Sequence, residues 1–225
     1  MALSGDPIDR FSGSKQRFLV LLCLIMGLLV LVPILQRFVA IRIFIDLFLT
    51  AIFISMVYTV SDKKGPVITG VVLASVMVTL LWLQYFYPNK AIAALAMITG
   101  VLFIAMVIAS LLGFMLKSTD VNREIIYAAI LLYLLAALMW AFGYTFLELI
   151  NPMSFSIDLK SSDGYVLVFQ YYSFVTITTL GYGDITPVSE VAKAFSVLEA
   201  VVGQLYLVVA IAWLVGMYVS KKSKQ

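Results

Sequence analysis

Residues 176–187 read Thr176-Ile177-Thr178-Thr179-Leu180-Gly181-Tyr182-Gly183-Asp184-Ile185-Thr186-Pro187. The stretch closes an uncharged run that lies between Asp163 and Asp184. Hydropathy alone counts that run as a membrane span. Its second half argues otherwise, because threonines and glycines in this density make poor helix. Extended backbone left in lipid would strand its N–H and C=O groups, and it is tolerated only where it lines a cavity. The run therefore reads as a short helix, Tyr165 to about Thr176, that dips into the membrane and returns as extended chain.

The rest of the sequence supplies the membrane. Of 225 residues, 63% are hydrophobic and 12% charged. So few charges could not solubilise a core this apolar, which excludes a soluble domain and a disordered chain. A spanning helix needs about 20 mostly apolar residues. Six runs meet that need: Phe18 to Gln36, Ile41 to Val60, Gly65-Pro66 to Tyr87, Ala91 to Leu116, Glu124 to Glu148 and Ser189 to Val219. Asp120 or Asn122 is placed to cap the fifth. With six spans and both termini cytoplasmic, the inner segments hold ten of the fifteen basic residues, as the positive-inside rule asks. Seven spans would put the lysine-rich tail outside.

Several chemistries are excluded. The chain has no histidine and one cysteine, Cys23, so imidazole catalysis, an intrachain disulfide and a thiolate metal cluster are all absent. No phosphate-binding glycine loop or pair of catalytic carboxylates is present, and no enzyme activity or organic cofactor is implied. The basic residues sit at the ends of apolar runs and form no stripe for nucleic acid. Lys221, Lys222 and Lys224 suit membrane anchoring, with anionic lipid headgroups as a further partner.

The loop has a physical logic of its own. A dehydrated cation needs a cage of oxygens, and rings of backbone carbonyls supply one when several chains present the same loop around an axis. Carbonyls point inward together only if the backbone alternates its angles. Gly181 and Gly183 accept positive φ without a Cβ clash. Thr179 adds a hydroxyl oxygen at the inner end, and Leu180 and Tyr182 are expected to turn away from the axis and pack the loop from behind.

On these residues, TTLGYGD between two spans, the sequence resembles the potassium-channel family, whose filter signature is T-x-G-Y-G usually followed by Asp. The family usually has valine or isoleucine where Leu180 stands. The resemblance implies a selectivity filter at Thr179, Leu180, Gly181, Tyr182 and Gly183, with potassium ions held by backbone carbonyls of the first four. It implies support from Thr178, Asp184, Tyr171 and Tyr172, the tyrosines as an aromatic cuff. For Asp184 two roles stand open, cation attraction and a hydrogen bond that holds the filter.

Two residues of the last helix are gating candidates. Gly203 lies 20 residues after Gly183, a spacing like that of the family's hinge glycine, and close helix packing is the competing use. Glu199 lies about 15 Å along the helix from Ser189. An intramembrane carboxylate is a functional candidate by default, as a pH sensor or an attractor of ions. A hydrogen-bonded carboxylate behind the pore helix is the plainer reading.

The fold class is thus all-α integral membrane, with six spans, a re-entrant pore helix and a filter loop. Residues 1–117 form a four-helix domain and 118–225 a pore domain. The order matches the voltage-gated plan, but Ala91 to Leu116 carries no charge, and a voltage sensor needs several. After Ser220 only five residues remain, so gating by a C-terminal cytosolic domain of this chain is not expected. The reading is a potassium-selective channel of the cell membrane, a homotetramer, passive and not strongly voltage-gated. The alternatives are a non-selective cation channel and a non-conducting or regulatory subunit of a potassium transport assembly.

Overall fold

A computed structural model describes residues 7–35, 41–59, 64–118, 120–157 and 165–222. Seven helices occupy them: α1 (Pro7–Leu35), α2 (Ile41–Thr59), α3 (Lys64–Phe86), α4 (Lys90–Lys117), α5 (Arg123–Ile150), α6 (Tyr165–Ile177) and α7 (Glu190–Lys222). Over the described residues each expected apolar run is helical to within one residue of its ends. Two helix starts are fixed by asparagine. The Asn89 side chain accepts from the Ala91 N–H at 2.8 Å. Asn122 does the same for Ile125 at 3.0 Å, which decides between the two caps expected for α5.

Four helices are long and apolar enough to cross a membrane by length and composition: α3, α4, α5 and α7. The sequence reading asks for six. Among the described residues, α1 and α2 contribute shorter apolar stretches, Gln16–Leu31 and Leu49–Thr59. α6 has 13 residues, about 20 Å of helix, which is short of a ~30 Å hydrocarbon core. Taken by itself, this helix is too short to cross.

The main core joins the first five helices. Leu21, Ile25 and Leu28 of α1, Phe53 and Met56 of α2, Met77 of α3, Phe103 and Ile104 of α4, and Leu131 and Leu135 of α5 are buried together. α4 and α5 approach closely at Gly100, where an added Cβ would stand 2.8 Å from the Phe142 ring. Small residues permit such backbone approach between apolar helices.

A second, aromatic core sits at the far end of α5 and positions the loop. Tyr144, Leu147, Phe155, Phe169, Tyr172 and Ala192 pack there. The Phe155 ring meets Phe169 edge-on at 4.8 Å and Tyr172 at 5.3 Å, a preferred aromatic geometry. α6 is thereby wedged between α5 and α7, touching both. α7 itself is covered on one side only. Val197, Leu205, Val208 and Ile211 are exposed along it.

Candidate functional site: the loop after α6

The loop grows directly out of the C-terminal turn of α6. The Thr178 N–H donates to the Phe174 carbonyl at 3.2 Å and the Thr179 N–H to the Thr176 carbonyl at 2.9 Å. The next two N–H groups, Leu180 and Gly181, both turn back to the Val175 carbonyl, at 3.0 and 3.2 Å. In a trans peptide the C=O points opposite to the N–H. The carbonyls of Thr179 and Leu180 therefore face away from the helix that carries them.

Backbone angles explain how. Positive φ recurs at every second residue: +59° at Thr179, +58° at Gly181 and +79° at Gly183. The two glycines take the conformation expected of them. The expectation for Thr179 is a hydroxyl and a backbone carbonyl, without a positive φ. A β-branched residue in this region is a true outlier and costs about 1–3 kcal/mol. The α6 hydrogen bonds on either side hold it there.

Side chains of the loop find little cover in their own chain. Leu180 is 55% and Tyr182 66% exposed. The expected packing from behind is therefore not supplied by the described residues of the chain. Thr178 is also exposed, its hydroxyl donating to the Phe174 carbonyl at 2.6 Å.

The two tyrosines of the expected cuff part ways. The Tyr171 hydroxyl donates to Asp184 Oδ2 at 2.8 Å, tying α6 to the far end of the loop. That bond, first of all, holds the Tyr171 phenol above its usual range. Tyr172 lies one residue on, about 100° around the helix, and faces α7 instead, with its hydroxyl 2.6 Å from Ser196 Oγ. Of the two roles open for Asp184, the structure supplies the hydrogen bond.

Gly203 lies against the end of α6. A Cβ there would stand 2.5 Å from Ile177 Cγ1 and 2.9 Å from the Ile177 carbonyl oxygen. Close packing accounts for this glycine, and α7 runs unbroken through it. The same carbonyl accepts the Tyr133 hydroxyl at 3.0 Å. Glu199 is fully buried and hydrogen-bonded to Tyr144 and Ser173, so it sits behind α6 and not in an open cavity. Lys221 and Lys222 close α7, while Lys224, Asp158 and Asp163 lie outside the described residues.

Residues 128–220 match a family model described as an ion channel. The matched segment runs from α5 to the end of α7 and includes the whole loop. It supports passive ion-channel activity in an integral membrane protein, and it points to a channel and not to an enzyme. No curated protein and no solved structure matches the chain.

Sequence reasoning missed much of what holds this channel loop. A strap on its outer side joins residues 154–156 to 186–189. Val188 N–H donates to the Ser154 carbonyl at 2.7 Å, and Ser156 N–H to that of Thr186 at 2.8 Å. Buried Glu148 anchors the strap by accepting the N–H groups of Met153 at 2.8 Å and Phe155 at 3.2 Å. A signal existed for these groups. Glu148, Ser173 and Tyr144 are polar side chains in otherwise apolar helices, and such groups need partners there.

Proposed function

We propose that the chain is a potassium-selective channel. Four copies surround one axis, and potassium ions pass down their gradient through carbonyl rings of Thr179, Leu180, Gly181 and Tyr182, with Gly183 at the outer end. One observation carries this reading: the alternation of positive φ at Thr179, Gly181 and Gly183, with the N–H groups of Leu180 and Gly181 drawn back to the Val175 carbonyl. A single loop encloses nothing, and closed symmetry supplies the other walls. The exposed faces of Leu180, Tyr182 and α7 are what such a ring would cover. Tyr171, Asp184 and Thr178 brace each loop, and Tyr172 braces α6 from behind.

Six crossings remain the topology of this proposal. α1 has 29 residues and α2 has 19, about 44 and 28 Å of helix, so the second is at the short end of the roughly 17–25 residues that span a bilayer. Both termini then lie on the cytoplasmic side of the cell membrane, with Lys221, Lys222 and Lys224 beside anionic headgroups. α4 carries lysine only at its ends, Lys90 and Lys117, so steep voltage dependence is not expected from it. The first four helices then act as a sensorless domain around the pore.

The test is current through purified protein in a planar bilayer, potassium on one side and sodium on the other, beside a Gly181→Asp variant. Reversal near the potassium equilibrium potential, lost in the variant, is the expected result. Reversal near zero with current intact would make the pore a non-selective cation channel. A purified particle with the mass of a single chain would leave a subunit of some other assembly.

A further inference from the structure

Glu199 sits where α5, α6 and α7 meet, with no exposed surface. The Tyr144 hydroxyl donates to its Oε2 at 2.6 Å. Its Oε1 is hydrogen-bonded to the Ser173 hydroxyl. Ser173 Oγ also lies 2.7 Å from the backbone carbonyl of Ala137 on α5. These three contacts fix where the hydrogens are.

A serine hydroxyl carries one hydrogen and two lone pairs, whereas a backbone carbonyl has lone pairs alone. Ala137 can only accept, so the Ser173 hydrogen belongs on that line. Ser173 is then left to accept from Glu199. An ionised carboxylate has nothing to donate, and a protonated one has one O–H. The titratable groups that face Glu199 are phenols. Tyr144 is its direct partner, and Tyr133 of α5 and Tyr172 of α6 lie within electrostatic reach. The Tyr172 hydrogen is engaged at Ser196, whose own hydrogen goes to the Ala192 carbonyl at 2.8 Å. Hydroxyl partners without a cation do not offset the cost of burying a full charge.

We infer that Glu199 is a neutral acid whose proton, on Oε1, completes a chain of donors from Glu199 to Ser173 to the Ala137 carbonyl and so fastens the pore helix to both of its neighbours. It is a positioning residue. Ser173 lies six residues before Thr179, so the chain sets the depth and rotation of α6 and, through it, of the loop. The consequence for permeation rests on the channel reading. The proton count does not.

Infrared spectra of the purified protein at neutral pH test it, wild type against Glu199→Gln. The expected difference is a protonated-carboxyl C=O stretch present in the wild type and lost in the variant. Glutamine has the shape of the neutral acid and offers the same pair, an N–H toward Ser173 and a C=O for Tyr144. E199Q therefore keeps the wild-type thermal midpoint and reversal potential. Glu199→Ala leaves two buried hydroxyls without their partner and shifts the unfolding equilibrium by roughly tenfold or more. Loss of an ionised-carboxylate band in E199Q, or E199Q as unstable as E199A, would overturn the inference. If E199A yields no protein, the spectra of the other two decide alone. A protein that shows the acid band but carries no current would sink the channel reading and leave the proton where it is.

Discussion

Replacing Gly203 by alanine separates packing from hinge, and the structure gives the size of the effect. In an open helix position the change stabilises by about 1 kcal/mol, because alanine is the better helix former. Here the new methyl would stand 2.5 Å from Ile177 Cγ1 and 2.9 Å from the Ile177 carbonyl oxygen. The oxygen is backbone and already holds Tyr133, so it cannot yield cheaply. Overpacking of this kind costs about 1–3 kcal/mol. The net expectation is a loss of about 0–2 kcal/mol for each chain. The sharper test is a double-mutant cycle with Ile177→Ala, which removes Cγ1 and opens room for the methyl. On that background the Cγ1 clash is gone while the approach to the carbonyl oxygen stays, so Gly203→Ala should cost less than in the wild type, a coupling of about 1 kcal/mol or more. Thermal unfolding of the four proteins in one detergent measures it. Equal effects of Gly203→Ala on both backgrounds would refute packing against the Ile177 side chain, and a stabilising Gly203→Ala in the wild type would refute packing against its carbonyl as well. A hinge would instead alter channel opening without any coupling to Ile177.

Two further outcomes are expected. Alanine at Gly181 meets no atom of its own chain within 4 Å, so within that chain its cost is conformational, about 1–2 kcal/mol at φ +58°. D-alanine, introduced by semisynthesis, should keep the selectivity that L-alanine loses, and equal selectivity in both proteins would contradict the alternating-backbone account. Glu148→Gln leaves one acceptor where two N–H groups need one each, and it turns an NH2 toward the other. A loss of about 1–3 kcal/mol follows, seen as faster amide exchange at Met153 and Phe155. Unchanged exchange there would show that the strap does not depend on this carboxylate.

What the sequence made legible was whatever depends on composition and local chemistry. Long uncharged runs are helices because lipid leaves the backbone no other way to pair its polar groups. TTLGYGD is not helix because glycine and threonine resist it, and its two glycines take the positive φ assigned to them. The partners of the loop were illegible because they are set by how helices rotate against one another. Tyr171 and Tyr172 are adjacent in sequence, yet one reaches Asp184 and the other Ser196. Nothing in a string of letters tells which faces the loop. The spacing of Gly203 suits a hinge and close packing alike, and only the fold sets Ile177 beside it. Thr179 was read for its hydroxyl, and its strained backbone comes from hydrogen bonds to α6 that only the fold reveals.

The attachments of α7 are unevenly spread along its length. Ser189 is tied to the outer strap, Ser196 to Tyr172, Glu199 to Tyr144 and Ser173, and Tyr206 to the Ala129 carbonyl at 2.6 Å. Beyond Tyr206 the described contacts to the rest of the chain are apolar, through Trp213, Leu214 and Met217. Sixteen residues, about 24 Å of helix, extend from there to Lys222. A rod clamped at one end and greased at the other is a cantilever. A tilt of about 10° at the clamp carries the tip of such a rod through roughly 4 Å while the clamped end stays still. Stiffness of this kind confines displacement to the side of the membrane away from the loop. The carbonyl positions of the loop are thereby insulated from whatever moves the tip.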